Sequence, residues 1–565
     1  MPSRRLLPNA LKRLRILCLL CAIGLMEVPC LCEASEGDKY LKAVQDFADT
    51  VIEKGRDTYG DKDTPLFVDG LHAESLKPAI WKKDGQSWVL SNFASQQPLI
   101  RILDGLSALT KDPEYRRAAA DATGYVLRNL QSGNGLLYWG GHVAWDLETE
   151  CAVGQYAGTH EMKGHQPYYR FMWEVDREST RKLMGAIWAT HILDWSLLDY
   201  NRHANTERPA QPKWGHAFAE GIEVPFPTDG GNLSFANVTP SLMHSGTMLA
   251  VLDKNRDALK WTRRLVYRWQ QGKDPETGLC GGQLSYRKND RAKDALGHVH
   301  PSINEAKIVA SYHQTSRYHH IPLAQMQAAE TLLEAGGRYA EAGRQFIAWA
   351  IQDLKIYANR SYDPDTGRFI ALMTDGTPLK WRQAKTGYYV PESFAPRNPD
   401  GHLLWSYAMA YRLSKDKDLW RMLGQLTRTM GIGDIGSPSG QEQALKLDTE
   451  NADWRLIYAL LELHRATGNR SMLRMARRIA DNLLELQTST GLFARPGREY
   501  ARTGDEIPLA LLHLAAALEG KSDKMPPPVF DSRFFHCEYH GQLAEHQQKR
   551  ADKRTYDNYV FYGSS

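Results

Sequence analysis

The sequence predicts an all-α protein, an α/α barrel in which helical hairpins form a toroid and strands are confined to short β-hairpins in the loops. Three observations carry this expectation. Apolar residues recur at helical spacing, as in Leu41, Val44, Phe47, Ala48, Val51 and Ile52. A short polar turn, Leu109-Thr-Lys-Asp-Pro-Glu-Tyr115, returns as Leu413-Ser-Lys-Asp-Lys-Asp-Leu419 and more loosely as Ala466-Thr-Gly-Asn-Arg-Ser-Met472. A second turn places glycine where a helix closes, at Gly135, Gly278, Gly367 and Gly491. Alternating helices with one turn class at each end describe a ring of helix pairs. The glycine turns stand 143, 89 and 124 residues apart, so the repeat is not strict and some pairs lack the signature.

Taken in order, residues 1–34 read as a secretory signal. Arg4, Arg5, Lys12, Arg13 and Arg15 precede an apolar run from Ile16 to Met26, and Cys32-Glu33-Ala34 offers a small-residue cleavage site before Ser35. The run is short for a membrane span, which needs about 20 apolar residues, so no stable membrane insertion is expected. The barrel occupies 35–521. Its first helix covers 38–56, and the aromatic segment 64–97 is a structured insertion rather than an idle loop. Helical periodicity then marks 179–198, 241–272, 302–313, 322–357, 400–413, 417–430, 453–466, 470–488 and 506–519. Strands are expected only in loop hairpins such as Leu492-Phe-Ala-Arg495. From 522 the composition changes, with Pro526-Pro-Pro528 and a polar, aromatic tail to Ser565 that is expected to lie against the outside or to be mobile.

Composition narrows the function classes. The 565 residues are 42% hydrophobic and 24% charged, enough for a large core. The formal charge of +4 falls to +1 once the leader, a net +3, is removed. No basic stripe remains, which argues against nucleic acid. Attraction for an anionic substrate must be local, in a cleft. Only Cys151, Cys280 and Cys537 lie outside the leader, too few for a disulfide scaffold or a cysteine zinc site. Nothing in the sequence fixes an oligomeric state.

The stretch from Trp139 to His203 concentrates the chemistry. It holds His142, His160, Glu161, His165, His191, Arg202 and His203 together with Trp139, Trp145, Trp173, Trp188 and Trp195. His142 follows Gly140-Gly141, where the backbone can approach a ligand closely; by itself it is an ordinary loop histidine. Either His160 or Glu161 can ligate, and Thr159 and Glu161 can equally cap a helix start. Arg202-His203 ends a helical run and can equally satisfy its last carbonyls. Together they form a His-Glu-His set with a guanidinium beside the last member. Two imidazoles and a carboxylate suit a divalent transition metal, manganese foremost with nickel, cobalt or zinc as alternatives, better than calcium.

With Gly140-Gly141-His142, His160-Glu161-Met-Lys163, Pro167-Tyr168-Tyr169 and Asp199-Tyr-Asn201-Arg202-His203, the chain resembles the family 2 polysaccharide lyases, mostly periplasmic pectate lyases with an α/α barrel. The spacings of 19 residues from His142 to Glu161 and 42 from Glu161 to His203 fit that likeness, which is clearest over 90–210. The resemblance implies a periplasmic or secreted enzyme acting on polygalacturonate or another uronate oligosaccharide. It implies His142, Glu161 and His203 as metal ligands and Arg202 as catalytic base. Lys163, Tyr168 and Tyr169 fall in the matching segment as substrate contacts, and Tyr286 and Arg287, with Gln283, follow a turn expected on the same face. Lys385, Tyr388 and Tyr389 form a further loop cluster. Each of these residues serves equally well in packing or in a surface ion pair. His319-His320 is discounted as a metal pair because neighbouring helical positions point apart.

The chemistry implied is β-elimination. A base removes the C5 proton, α to the uronate carboxylate, and the C4 oxygen leaves. A divalent cation on the carboxylate makes that proton easier to remove. Arginine is an unusual base, since its side chain stays protonated in most settings; a metal and a desolvated cleft favour the neutral form. The residues alone equally allow Arg202 to bind the carboxylate with a tyrosine as base. Three other functions fit a helical barrel. A hydrolase of unsaturated uronyl oligosaccharides would use aspartates such as Asp146, Asp194 or Asp199. A sugar epimerase would use histidines, and a non-catalytic uronate-binding protein would tolerate loss of Glu161.

Overall fold

A computed structural model describes residues 37–83, 86–154, 158–162, 166–228, 233–288, 297, 303–310, 316–379, 394–529, 554–556 and 559–561. The chain forms two units, Met1–Ser35 and Glu36–Ser565, and the described residues belong to the second. The expected signal segment, 1–34, lies outside them. No described helix is long and apolar enough to cross a membrane.

Fourteen α-helices occur among the described residues: α1 (Asp38–Lys54), α2 (Gln97–Thr110), α3 (Pro113–Asn129), α4 (Tyr169–Val175), α5 (Arg177–His191), α6 (Thr239–Leu252), α7 (Arg256–Gln271), α8 (Arg317–Ala335), α9 (Gly337–Ser361), α10 (Gly401–Ser414), α11 (Lys417–Thr429), α12 (Arg455–Thr467), α13 (Arg470–Leu484) and α14 (Glu506–Leu518). The even-numbered helices form an inner ring. α4 packs on α6, α6 on α8, α8 on α10, α10 on α12, α12 on α14, and α14 returns to α2. α2 and α4 are joined where the Tyr168 hydroxyl donates to Asp104 (2.8 Å) and the Tyr168 N–H to Gln97 (2.7 Å). The odd-numbered helices lie outside, each against the inner helix before it. α1 completes the last pair by packing on α14, and its Tyr40 hydroxyl donates to Asp481 of α13 at 2.7 Å. The result is an α/α barrel of seven hairpins.

Burial follows this arrangement. α6, α10 and α14 are buried along most of their length, whereas α7, α11 and α13 bury one face and show arginines and lysines on the other. One charged group in the interior is fully paired: Arg317 of α8 and Lys273 both reach Asp353 of α9 at 2.6 Å.

The two turn classes separate cleanly. Four of the inner helices pass to outer ones through short turns in which a left-handed residue precedes an Asp or Asn cap: Lys111-Asp112, Lys254-Asn255, Lys415-Asp416 and Gly468-Asn469. The cap side chain accepts an N–H of the next helix in each case. The same motif at Asp253-Lys254-Asn255 divides the helix expected over 241–272 into α6 and α7. Gly336, in an extended conformation with positive φ, divides the one expected over 322–357. Outer helices pass to inner ones through long loops, and the four glycine turns lie there, all with positive φ.

Those loops hold more sheet than expected. Ile80–Lys83, Gln86–Ser91, Ala144–Asp146 and Cys151–Val153 form one four-stranded antiparallel sheet that joins the α1–α2 loop to the α3–α4 loop. Trp81, Trp88, Leu90, Ala144 and Tyr500 give it a small core of its own. Two expected helical ranges change character. The 302–313 stretch is a 3-10 turn at Glu305–Lys307 followed by strand Ile308–Val309, and 311–315 lie outside the described residues. The 179–198 helix stops at His191, where Ile192–Asp194 pairs with Asp199–Tyr200. Of the expected tail, residues 522–529 lie against the barrel: Arg101 of α2 donates to the Pro527 carbonyl at 3.0 Å, and Val529 is buried; 530–553 lie outside the described residues.

Candidate metal and catalytic site

The site sits at the long-loop end and is built by three short lengths of extended chain. Strand Thr159–Glu161 pairs antiparallel with His203–Asn205, with Glu161 opposite His203. On its other side Glu161 bridges in parallel to Gly140. Three segments that are distant in sequence therefore deliver His142, Glu161 and His203 to one point. Their ligand atoms all lie within 4.8 Å of one another. His142 Nε2 is 3.1 Å from His203 Nε2 and 3.7 Å from Glu161 Oε2, and His203 Nε2 is 3.5 Å from Glu161 Oε1. Arg202 Nε stands 3.5 Å from Glu161 Oε1 and 3.3 Å from His203 Nε2. Glu161 is fully buried, while the His203 side chain is 23% exposed, so the site opens on the His203 side.

Main-chain geometry explains why these residues converge. Gly140 has φ of 112°, a conformation that side chains disfavour. Asn92 holds it at both polar groups: its Nδ2 donates to the Gly140 carbonyl (2.8 Å) and its Oδ1 accepts the Gly140 N–H (3.1 Å). The Met162 N–H donates to the Arg202 carbonyl at 2.8 Å, continuing the strand pairing past Glu161.

Alternation along the strand separates His160 from Glu161. Glu161 faces the two histidines. His160 faces the opposite side and is engaged at both ring nitrogens: Trp139 Nε1 donates to its Nε2 (2.7 Å), and its Nδ1 meets His191 Nε2 (2.9 Å). His191 Nδ1 in turn meets the Asn201 carbonyl at 2.7 Å. Burial pushes His191 down to about 4, so its ring is neutral at physiological pH.

The neighbouring loop reaches the site through Asp199. This buried carboxylate accepts hydroxyl bonds from Ser234 (2.7 Å), Thr228 (3.0 Å) and Ser285 (3.1 Å); desolvation nevertheless raises its pKa. It thereby ties the strand before Arg202 to the parallel pair Phe226–Thr228 and Ser285–Arg287. Tyr286 and Arg287 are half-buried on that strand, and the Arg287 N–H donates to Glu305 at 3.2 Å. Gln283 bridges to Phe235, whose ring lies 5.9 Å from the Arg202 guanidinium. Residue types and spacing do not point to Asn92, to Asp199 as a hub, or to the chain from Trp139 to Asn201.

Other candidates lie elsewhere. Tyr168 and Tyr169 open α4 in the core: the Tyr168 hydroxyl donates to Asp104, and Tyr169, 1% exposed, packs against the His244 ring at 5.0 Å. Substrate contact by either would require uncovering it. Lys163, Lys385, Tyr388 and Tyr389 lie outside the described residues. His319 bonds to Ser316, its ring centre lies 6.4 Å from that of His402, and it is not one of the His-Glu-His triangle. The aspartates available for hydrolysis have structural roles. Asp146 accepts from Val89 N–H and Thr149, Asp194 from Ser196 and Leu197, and Asp199 from three hydroxyls.

The triangle fits a divalent transition metal. Nitrogen and oxygen donors about 2.0–2.2 Å from one ion stand about 3.0–3.5 Å apart across a coordination edge. The observed separations of 3.1, 3.5 and 3.7 Å need little adjustment to meet this. The donor set, two imidazoles and one carboxylate, suits manganese, nickel, cobalt or zinc.

Comparison with known proteins gives the lineage. The sequence signature described as periplasmic pectate lyase matches residues 64–538. A pectate disaccharide-lyase of Dickeya dadantii (strain 3937) is 27% identical over 535 residues, covering 89% of this chain and 93% of its own. Among solved structures, cellobiose 2-epimerase from Bacillus thermoamylovorans B4167 aligns over 86% of this chain and all of its own, with 9% identity and a TM-score of 0.40. A polysaccharide lyase aligns over 83% of this chain and 53% of its own, with 10% identity and a TM-score of 0.37.

Proposed function

This chain belongs to the periplasmic pectate lyase family and is a pectate-degrading lyase; from that premise we propose that it cleaves polygalacturonate or its oligomers by metal-dependent β-elimination. The observation that carries the metal dependence is the buried His142–Glu161–His203 triangle with the Arg202 guanidinium against it. A divalent cation held there, manganese in the first instance, would supply Lewis acidity toward the uronate carboxylate and so acidify the C5 proton.

The remaining work falls to the protein. Arg202 takes the C5 proton. The C5–H electron pair becomes the C4–C5 double bond, and the C4–O bond breaks with its pair on the departing oxygen, which then acquires a proton. Glu161 and His203, on adjacent strands, fix the position of Arg202 Nε from two sides. Arg287 and Tyr286, carried on the strand anchored to Asp199, are candidates for binding a neighbouring uronate. Elimination needs no water nucleophile and hence no pair of catalytic carboxylates, in keeping with the structural engagement of Asp146, Asp194 and Asp199.

The test follows ultraviolet absorbance of the unsaturated uronate while purified protein acts on polygalacturonate, with chelator and then with Mn²⁺ restored. Absorbance that rises, stops with chelator and returns with metal is the expected result. Product sizing will reveal whether disaccharides accumulate, the activity named for the Dickeya relative. Arg202→Ala should slow turnover by about 10²–10⁴-fold, the usual worth of a general base, while metal binding persists. Reducing ends without absorbance would overturn elimination, and binding without turnover would leave a uronate-binding protein.

A further inference from the structure

Behind the metal triangle, on the face of the strand away from Glu161, runs a buried chain of ring hydrogen bonds. It starts at Trp139 Nε1, passes His160 and His191, and ends on the Asn201 carbonyl, with links of 2.7, 2.9 and 2.7 Å. Trp139, His160 and His191 are each no more than 1% exposed. Both ends of the chain are chemically one-directional. An indole N–H only donates and a carbonyl only accepts. His160 Nε2 must therefore be the acceptor, which leaves the proton on Nδ1. The same reasoning passes to His191, whose Nε2 accepts and whose Nδ1–H donates to Asn201. The two imidazoles are held as neutral Nδ1–H tautomers, and the chain has one polarity.

The far end is where this bears on catalysis. Asn201 is gripped on three sides: its carbonyl by His191 Nδ1, its N–H by the His191 carbonyl at 2.9 Å, and its Oδ1 by the His203 N–H at 2.9 Å. The next two residues are Arg202 and His203. The near end is rooted in the core, where Trp139 stacks on Phe93 with ring centres 5.9 Å apart. His160 belongs to the same three-residue strand as Glu161.

We propose that Trp139, His160 and His191 are positioning residues whose one-way hydrogen-bond chain sets the placement of the Arg202 turn against Glu161. The inference rests on the reading of Arg202 as the group that acts on substrate. The chain carries no proton in the reaction. It fixes the turn that presents Arg202, while His203 is held separately by its strand pairing with Glu161, and an error of about 1 Å in such placement can cost about 100-fold in rate.

Three variants test this in the full-length protein. Trp139→Phe keeps the aromatic packing and removes the donor that sets the polarity. His191→Phe removes the link to Asn201. His191→Asn returns an amide donor near the place of Nδ1. Turnover should slow by about 10-fold or more in the two phenylalanine variants, with KM for polygalacturonate and the half-saturating Mn²⁺ concentration within about twofold of wild type. His191→Asn should recover part of the lost turnover. Nitrogen-15 spectra of histidine-labelled protein should show two slowly exchanging Nδ1–H tautomers that Trp139→Phe alters. Should His191→Phe fail to fold, Trp139→Phe and His191→Asn carry the same comparison. An unchanged kcat in Trp139→Phe, a loss confined to KM or metal binding, or His191→Asn no better than His191→Phe would overturn the proposal. Wild-type protein that forms no unsaturated product with any divalent metal would instead overturn the lyase reading, and this inference with it.

Discussion

Replacing Asn92 by leucine tests whether the site is assembled by main-chain pairing. Asn92 is fully buried and satisfies both polar groups of Gly140, at 2.8 and 3.1 Å. Leucine has similar volume but pairs with neither. The two main-chain groups of Gly140 and the Ala94 N–H, which also donates to Asn92 Oδ1 at 3.2 Å, are left unsatisfied, each worth about 1–3 kcal/mol, so folding loses about 3–9 kcal/mol. With an unfolding entropy of about 2.1 cal/mol/K per residue over roughly 500 residues, or about 1 kcal/mol/K, the melting temperature should fall by about 3–9 °C. The larger effect should be on the site, because Gly140 lies beside Glu161 and two residues before His142. We expect Mn²⁺ binding weakened about 10–100-fold, as for other residues that hold metal ligands in place, and kcat/KM reduced in parallel. Calorimetric titration with Mn²⁺ and a melting curve on the same sample separate the two effects. A variant that melts at the wild-type temperature and binds Mn²⁺ normally would refute the reasoning. So would one that loses the expected stability yet keeps full metal affinity.

Three further outcomes follow from the same geometry. Glu161→Gln removes the only carboxylate of the triangle and should weaken Mn²⁺ binding by more than about 100-fold, beyond the effect of an outer partner; titration calorimetry decides it. Asp353→Leu leaves the buried guanidinium of Arg317 and the Lys273 ammonium without their shared partner and should cost about 3–5 kcal/mol, read as a lower urea midpoint with unchanged kcat. Stability should also fall in mild acid. Burial holds His244 at about 4 and His513 at about 3 in the folded state, against about 6.5 when unfolded. The unfolded chain therefore binds protons first. Their contribution is intact above pH of about 6.5 and is lost as pH falls toward 4 for His244 and 3 for His513, at up to about 1.4 kcal/mol per pH unit for each. Melting curves at descending pH check this, and His244→Gln should flatten the dependence; an unchanged slope would remove His244 from the account.

Much of the ring is legible because its short turns share a local chemistry. A left-handed residue followed by an Asp or Asn cap is visible in Lys111-Asp112 and Lys415-Asp416, and the structure shows the same device at Lys254-Asn255. There it is hidden in the sequence, since the apolar periodicity of α6 and α7 runs on without a proline or glycine between them. The four-stranded sheet is less legible: its strands come from two loops, and only their pairing reveals it. At the site, residue types and spacing single out His142, Glu161, Arg202 and His203 as candidates. They do not separate Glu161 from its neighbour His160, because that depends on which face of a three-residue strand points toward His203. Asn92 leaves no trace in the sequence. It acts on the main chain of a glycine 48 positions away, and any small amide in a loop looks the same.

The pairing of α1 with α14 has a consequence for how the molecule comes into being. The Tyr40–Asp481 contact joins residues 441 positions apart. For an unstructured chain, bringing such distant points together costs about 5 kcal/mol in loop entropy, and each intervening hairpin that has already folded shortens the effective separation. The seam is therefore the step most favourably left to the end. As the polypeptide is made, α1 emerges before the other described helices and must wait, the face it turns to α14 uncovered, while the His142–His203 region and the later hairpins take shape behind it. Only when Glu506–Leu518 arrives does α1 find its berth. The earliest synthesised of the described helices is thus the last to be housed, and a chaperone would serve it in the interval.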